Sequence, residues 1–266
     1  SGSQKKGDVM AGTLPTVIKQ MTKTDENSFY VVSPQGIEKL YFADDKIFVE
    51  PVVAGRYNGI ERDKIRNCLW AYNNNQVICI TGDKRINIDN DNLKTLGIDH
   101  IERIQVDTMY GNLLLNDGNN IYLVDPERKK RRRLFPKFNI KDNKFCIAGN
   151  TVVCVGKFGI LFSRIMGPGI FSEAVMYPNF KMTAYNSLHD ISVTGRKVFL
   201  KTDNGMLQAS FPGMKEYEQA GKNKQRYNVI LAYNDSLYKI GRDMTLNIAQ
   251  EQRNVKLDII NPLGVG

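Results

Sequence analysis

Arg128, Lys129, Lys130, Arg131, Arg132 and Arg133 place six cations on consecutive residues. Neighbouring like charges repel by about a few tenths of a kcal/mol per pair even when screened. Folding gains nothing from that crowding, whereas an anionic partner turns it into attraction. The chemistry such a run can do is polyanion binding, docking to an acidic protein surface or nuclear targeting. The competing use is a solvated connection that keeps an exposed sheet edge from pairing with another chain. No aromatic residue interleaves with the run, so stacking on single-stranded bases is not indicated. Lys and Arg together number 37 against 28 Asp and Glu, a net charge of +9, and the run supplies six of those nine. Arg128–Arg133 are therefore the expected partner-binding or polyanion-binding residues, leaving the sheet on an exposed loop after Asp125-Pro126.

Other reactive side chains are sparse. Asp107, Asp125, Asp190 and Asp203 stand at strand edges, where a convergent carboxylate pair would serve glycoside hydrolysis. Asp in such places is more often a turn former. His100 and His189 are the only histidines. Neither belongs to a metal-binding or zinc-protease pattern, and each reads as a strand-end imidazole. No phosphate-binding glycine loop is present; Gly156-Lys157-Phe158-Gly159 reads as a hairpin turn. The expectation is therefore no catalytic residue, no metal, no cofactor and no enzyme. Of the four cysteines, Cys146 and Cys154 flank a Gly149-Asn150 turn in a register that puts them on opposite faces. Cys68 and Cys79 can pair only if the turn at Asn73–Asn75 holds two residues. Buried reduced thiols are expected, which favours a reducing compartment.

The elements that must position these residues repeat. Six segments share one plan of apolar strand, tight turn, strand, second tight turn and third strand. First turns fall near Asp44-Asp45, Asn73–Asn75, Met109–Gly111, Gly149-Asn150, Thr194-Gly195 and Asn234-Asp235. Second turns fall near Ala54-Gly55, Gly82-Asp83, Asp117–Asn119, Gly156–Phe158, Asp203–Gly205 and Gly241–Asp243. Segments such as Val77–Ile80, Val152–Val155 and Val198–Leu200 are β-branched or aromatic, as strands require. No stretch keeps helical periodicity over three turns, and the best helical candidate is Met214–Ala220. Fourth strands are expected from connecting segments such as Phe171–Tyr177 or Leu134–Phe138.

The expected fold is all-β, a six-bladed β-propeller of antiparallel meander units of about 40 residues. The ring is expected to close through terminal strands, Phe29–Val32 and Val255–Ile260 being placed for it. Residues 1–27 read as a polar N-terminal arm and residues 28–266 as one propeller domain. No run of apolar residues is long enough to span a membrane.

Ile101–Asp107, then Gly111-Asn112-Leu113, then Asn119–Asp125 together resemble a blade of the sensor-type propellers. These occur in bacterial two-component regulator ectodomains and in secretion-associated proteins. Leu188–Ile191 with Thr202–Leu207 is similar. The resemblance implies recognition of a ligand or partner on a propeller face, without catalysis. The primary expectation is a non-enzymatic interaction or structural subunit of a multi-chain assembly, with the basic loop docking to an acidic partner or polyanion. An arm such as Ser1–Asn27 is ordered only where another chain holds it, as in a virion-like assembly. A ligand-sensing or secretion-associated propeller is the alternative, and a propeller glycoside hydrolase the third reading.

Overall fold

In the computed structural model, each β-branched or aromatic stretch pairs antiparallel with the next one along the chain. The structure describes residues 18–25, 28–43, 46–177, 188–194, 197–202, 205–210, 218–219, 227–233, 236–241, 245–248 and 253–256. Within them the strands form six sheets, each drawn from one contiguous stretch. The first holds β1 (Gln20–Asp25), β2 (Ser28–Ser33), β3 (Gly36–Ala43) and β4 (Lys46–Ala54); the second holds β5 (Gly59–Asp63), β6 (Cys68–Asn73) and β7 (Gln76–Cys79). The third runs β8 (Arg103–Val106), β9 (Leu113–Asn116), β10 (Ile121–Asp125) and β11 (Lys130–Leu134). In the fourth, β12 (Lys144–Ala148), β13 (Thr151–Gly156) and β14 (Gly159–Gly167) are followed by two short strands, β15 (Ile170–Phe171) and β16 (Val175–Tyr177), that both pair with β14. The fifth comprises β17 (Leu188–Thr194), β18 (Lys197–Thr202), β19 (Gly205–Ser210) and β20 (Glu218–Gln219). The sixth comprises β21 (Tyr227–Tyr233), β22 (Ser236–Gly241), β23 (Thr245–Ile248) and β24 (Arg253–Lys256).

The first strands of the sheets begin at Gln20, Gly59, Arg103, Lys144, Leu188 and Tyr227, in steps of 39, 44, 41, 44 and 39 residues. They lie against one another in sequence, β1 by β5, β5 by β8, β8 by β12, β12 by β17 and β17 by β21, and β21 also lies by β1. The core is divided between neighbouring sheets. Ile60, Leu69 and Ala71 pack with Val32 and Ile37 between the first and second. Trp70, Tyr72 and Val77 meet Ile104, Leu113, Leu115 and Val124 between the second and third. Leu114 and Ile121 meet Phe145, Val152 and Cys154 between the third and fourth, and Cys146, Val153 and Val155 meet Ile191, Val198 and Leu200 between the fourth and fifth. The alternation of side chains along each strand explains the division, since each sheet offers an apolar face to both neighbours.

Turn chemistry sets the register. Ala148 pairs with Thr151 across Gly149-Asn150, where Gly149 takes φ +58, a conformation that costs glycine nothing. Cys146 then stands opposite Val153 and Cys154 opposite Phe145, and the two thiols join different cores. The Phe171–Tyr177 region supplies outer strands as expected.

Several expectations shift. In the third and fourth sheets the two turns fall where the repeat puts them; in the fifth and sixth most of the expected turn residues lie outside the described residues, between the paired strands; in the first two the unit slips. The expected turn at Asp44-Asp45 lies outside the described residues, between β3 and β4, and Asn74-Asn75 is the second turn of its sheet. The outer strand of the third sheet is Lys130–Leu134, so it ends where Leu134–Phe138 was expected to begin. Gln20–Asp25 pairs with β2, because Met21 and its neighbours find the apolar side of that strand; an ordered strand therefore begins inside the stretch read as an arm. Phe29–Val32 and Val255-Lys256 belong to different sheets, β2 and β24, and do not pair with each other; residues 257–260 lie outside the described residues. Of Met214–Ala220, only Glu218-Gln219 is described, and it is a strand. The helix of the described residues is instead α1 (Asn90–Leu96). Asp89 and Asn92 form a reciprocal capping box at its start, Gly97 ends it at φ +68, and Leu93 and Leu96 are buried beneath it. Replacing Asp89 by Ala is expected to cost about 1 kcal/mol, read as a lower urea midpoint at unchanged slope. No helix among the described residues is long and apolar enough to cross a membrane.

Candidate functional site

The chain turns at Asp125-Pro126-Glu127-Arg128-Lys129, and the Asp125 carboxylate accepts from the amides of Glu127 at 3.1 Å and Arg128 at 3.0 Å. That turn feeds straight into a strand. Lys130, Arg131, Arg132, Arg133 and Leu134 stand opposite Asp125, Val124, Leu123, Tyr122 and Ile121 of β10. The basic run is therefore the edge strand β11 with its preceding turn, where a loop was expected. The physical reason lies in Leu134, buried beside Ile121, which anchors the register, while the cations stay exposed along an unpaired edge.

Alternation sends the arginines to opposite sides. Arg131 lies 4.6 Å over the Tyr122 ring, and its Nε donates to the Leu96 carbonyl at 2.7 Å, at the C-terminal end of α1. On the other side, Arg132 Nη2 donates to the Gly169 carbonyl at 2.6 Å, with the Phe171 ring 6.0 Å away. Lys129 Nζ donates to the carbonyls of Arg85 at 3.1 Å and Pro126 at 2.6 Å. Three of the six cations thus also brace the sheet against its neighbours. Arg128, Lys130 and Arg133 face solvent, with Arg128 4.0 Å from Asp125.

Two grooves flank the strand. One, of about 660 Å³, is lined by Arg66, Arg128, Lys130, Arg131 and Arg132 together with Asp125 and Glu127. Its floor includes Leu113, Leu123 and Val124. Arg66 is committed there: it bonds Asp63 at 2.7 Å, Glu127 at 2.9 Å and the Gly111 carbonyl at 2.7 Å. The other groove, of about 400 Å³, joins Arg133 to Lys137 and Lys141. Exposed Lys84, Arg85 and Lys94 lie on the α1 side, where Lys129 and Arg131 make their contacts. Lys84, Arg85, Lys94, Lys137 and Lys141 were missed as members of a basic surface because only the fold gathers them. Their own scatter in sequence carries no signal.

A second polar cluster sits where the first strands of the sheets converge. A cavity of about 130 Å³ is lined by Lys19, Asn58, Glu102, Arg103, Lys144 and His189, among others. Arg103 Nη1 is 2.7 Å from Asp190, 3.0 Å from the Phe145 carbonyl and 3.0 Å from that of Ile191. Lys144 pairs with Glu102. Burial pulls the Lys144 ammonium below its ordinary pKa, with Asp190 opposing. Neighbouring first strands are also tied by side-chain acceptors: Gln20 accepts from Ile60 N at 2.7 Å, Glu61 from Val106 N at 3.4 Å and Gln105 from Ile147 N at 2.7 Å.

Of the four candidate carboxylates, the three among the described residues each serve a local role. Asp107 accepts from the amides of Met109, Tyr110 and Asn112 at 2.6–3.0 Å and is a turn former, as is Asp125. Asp190 pairs with Arg103, and Asp203 lies outside the described residues. His189 borders the small cavity whereas exposed His100 does not. Among the described residues no three His, Cys, Asp or Glu stand together as a metal site.

No protein-family model matches the chain, and no curated protein matches it. Solved structures do. Virginiamycin B lyase from Staphylococcus aureus is 12% identical with a TM-score of 0.59, over 94% of this chain and 87% of that one. The WD40 β-propeller domain of Doa1 is 9% identical at a TM-score of 0.56, over 94% and 85%. The extracellular domain of the putative hybrid two-component system BT4673 from B. thetaiotaomicron is 12% identical at 0.54, over 88% of this chain and 40% of that one. This chain spans about two fifths of that ectodomain's length. The neighbours are of the propeller type, in line with the resemblance to sensor propellers. At such identities the likeness shows the fold alone. It also corrects one expectation: the fold does not mark the chain as a non-enzyme, because virginiamycin B lyase, an enzyme, shares it.

Proposed function

We propose that the chain is a single six-bladed propeller domain whose sheets follow one another around a closed ring. We further propose that it acts as an interaction or structural subunit, docking an acidic protein surface along β11. The ring is supported by the order of the first strands, each beside the next and the last beside the first. The single observation that carries the docking is the edge strand itself. Lys130 and Arg133 on it and Arg128 in the turn before it are exposed between two grooves, and Lys137 and Lys141 extend the positive surface. A protein partner fits better than nucleic acid because the larger groove mixes cations with Asp125, Glu127 and apolar floor residues, and a phosphate backbone gains nothing from carboxylates. Edge protection by the same cations is compatible with this role, since an acidic partner covers what solvent otherwise covers.

A photo-crosslinking residue at Lys130 tests it. The expected product in native extract is a covalent adduct with an acidic protein, absent when the probe sits at exposed Lys157. Adducts with nucleic acid alone, or none, would refute the protein-docking reading.

A second reading, ligand sensing, is favoured by the cavity that His189, Lys19 and Asn58 help to line. A small molecule that raises the melting temperature of the wild type but not of a His189→Ala variant would establish it.

A further inference from the structure

Cys68 and Cys79 occupy the two strands of one hairpin. Asn73 pairs with Gln76 across a turn of two residues, Asn74-Asn75, which is the condition the sequence sets for the two cysteines to meet. Trp70 stands directly opposite Cys79, so Cys68 is the diagonal neighbour of Cys79 on the same face. The right-handed twist of a strand pair shortens one of its two diagonals. Here the two sulfurs lie 2.7 Å apart, both buried and both thiols. A disulfide needs about 2.05 Å, so closure asks for a movement of well under an ångström. The other two cysteines have no such neighbour: Cys146 and Cys154 lie on opposite faces of their sheet.

We propose that Cys68 and Cys79 are a covalent modification site, a cross-strand pair that closes to a disulfide when the chain folds in the presence of a disulfide oxidant. The step is thiol–disulfide exchange. One cysteine sulfur, as thiolate, attacks the oxidant's S–S bond, giving a mixed disulfide and one released thiol. The second cysteine sulfur displaces the remaining oxidant half. Cys68 and Cys79 together lose two protons and two electrons, and the oxidant is reduced to two thiols.

The surroundings decide when this happens and what it does. Burial pushes the Cys68 thiol far above its ordinary pKa, with the hydrogen bond to Cys79 adding to it, so thiolate is scarce in the folded sheet. Exchange therefore belongs to folding or to local opening, and the finished bond is shielded from reductants. A metal is a poorer occupant, because no third and fourth donor stand near the pair among the described residues. The bond would staple β6, which carries the fully buried Trp70, to β7 at the rim of a sheet that has only three strands.

The test starts from the full chain, reduced and unfolded, and refolds it in a buffer of reduced and oxidised glutathione. Remaining thiols are alkylated and the protein is digested with trypsin. Both cysteines fall on one tryptic peptide, Asn67–Lys84. The expected result is that this peptide is chiefly unalkylated and lighter by two hydrogens, while Cys146 and Cys154 are alkylated. The oxidised chain should then show a folding equilibrium about a hundredfold more favourable than the reduced wild type, as loop-closure entropy predicts for a loop of this size. A refolded wild type whose Asn67–Lys84 peptide carries two alkyl groups, or glutathione on either cysteine, would overturn the proposal. The mapping is done on wild-type protein, so the result does not depend on whether a Cys68→Ser variant folds.

Discussion

Replacing Arg103 by Met is expected to destabilise the fold by about 3 kcal/mol, the low end for breaking a buried ion pair. Arg103 sits on β8 and reaches Asp190 on β17 and the carbonyls of Phe145 on β12 and Ile191 on β17, so one side chain ties three sheets together. Its loss takes the directly bonded guanidinium from the Asp190 carboxylate, 27% exposed, and leaves only the electrostatic pull of Lys144 and Lys201 on it. Adding Asp190→Leu should recover much of the loss, because removing both partners abolishes the uncompensated charge. Equilibrium unfolding in urea measures both. An Arg103→Met chain as stable as the wild type would mean that these sheets do not meet as described.

The second large effect concerns pH. Glu61 is pushed up to about 8 by burial; Arg103 and the Val106 amide pull it down, and Asp63 pushes it up again. Below the ordinary value of 4.5 the side chain is neutral whether the chain is folded or not. Between 4.5 and about 8 the unfolded chain has released the proton while the folded one keeps it, so stability falls as pH rises. The slope is about 1.4 kcal/mol per pH unit, and the loss is complete above the folded value. Glu61→Gln removes the titration and keeps the acceptor for Val106 N, the role that Gln20 and Gln105 already play on neighbouring strands. The variant should match the wild type at pH 4 and exceed it at pH 8 by on the order of 4 kcal/mol. Parallel stability profiles for the two proteins would contradict the burial of this carboxyl group.

The all-β class and the meander repeat are legible because they rest on local chemistry. Asn, Asp and Gly at tight turns and β-branched runs between them signal strands without reference to the rest of the chain. The slip in the second unit has a physical cause. The four-residue turn at Lys64–Asn67 contains no glycine, whereas Asn73–Asn75 is rich in turn formers, so the stronger signal took the earlier turn's place. The steps between first turns, 30 and then 36 residues, were shorter than the later ones and carried the sign of that slip. Helix α1 is missed because seven residues show too little periodicity, although Asp89, Asn92 and Gly97 spell out its caps. The basic run is found by composition, but its strand character is not, since four consecutive exposed cations carry no alternation to read. The cluster of Lys19, Glu102, Arg103, Lys144 and His189 is assembled from β8, β12 and β17 and the residues just before β1 and β8, all distant in sequence, and only the order of the sheets reveals it.

The central claim, that β11 docks an acidic protein surface, is tested most directly by titrating the chain with a poly-glutamate peptide at several salt concentrations. Arg128→Gln, Lys130→Gln and Arg133→Gln are combined, because those three side chains face solvent while Lys129, Arg131 and Arg132 also brace the sheet. A control chain carries Lys64→Gln, Lys157→Gln and Lys197→Gln, an equal change of charge at exposed positions off the strand. At about 0.5 kcal/mol for each exposed pair, the β11 variant should bind roughly tenfold more weakly and with a flatter salt dependence, while the control keeps wild-type behaviour. Equal affinity and equal salt dependence in all three proteins would contradict the account.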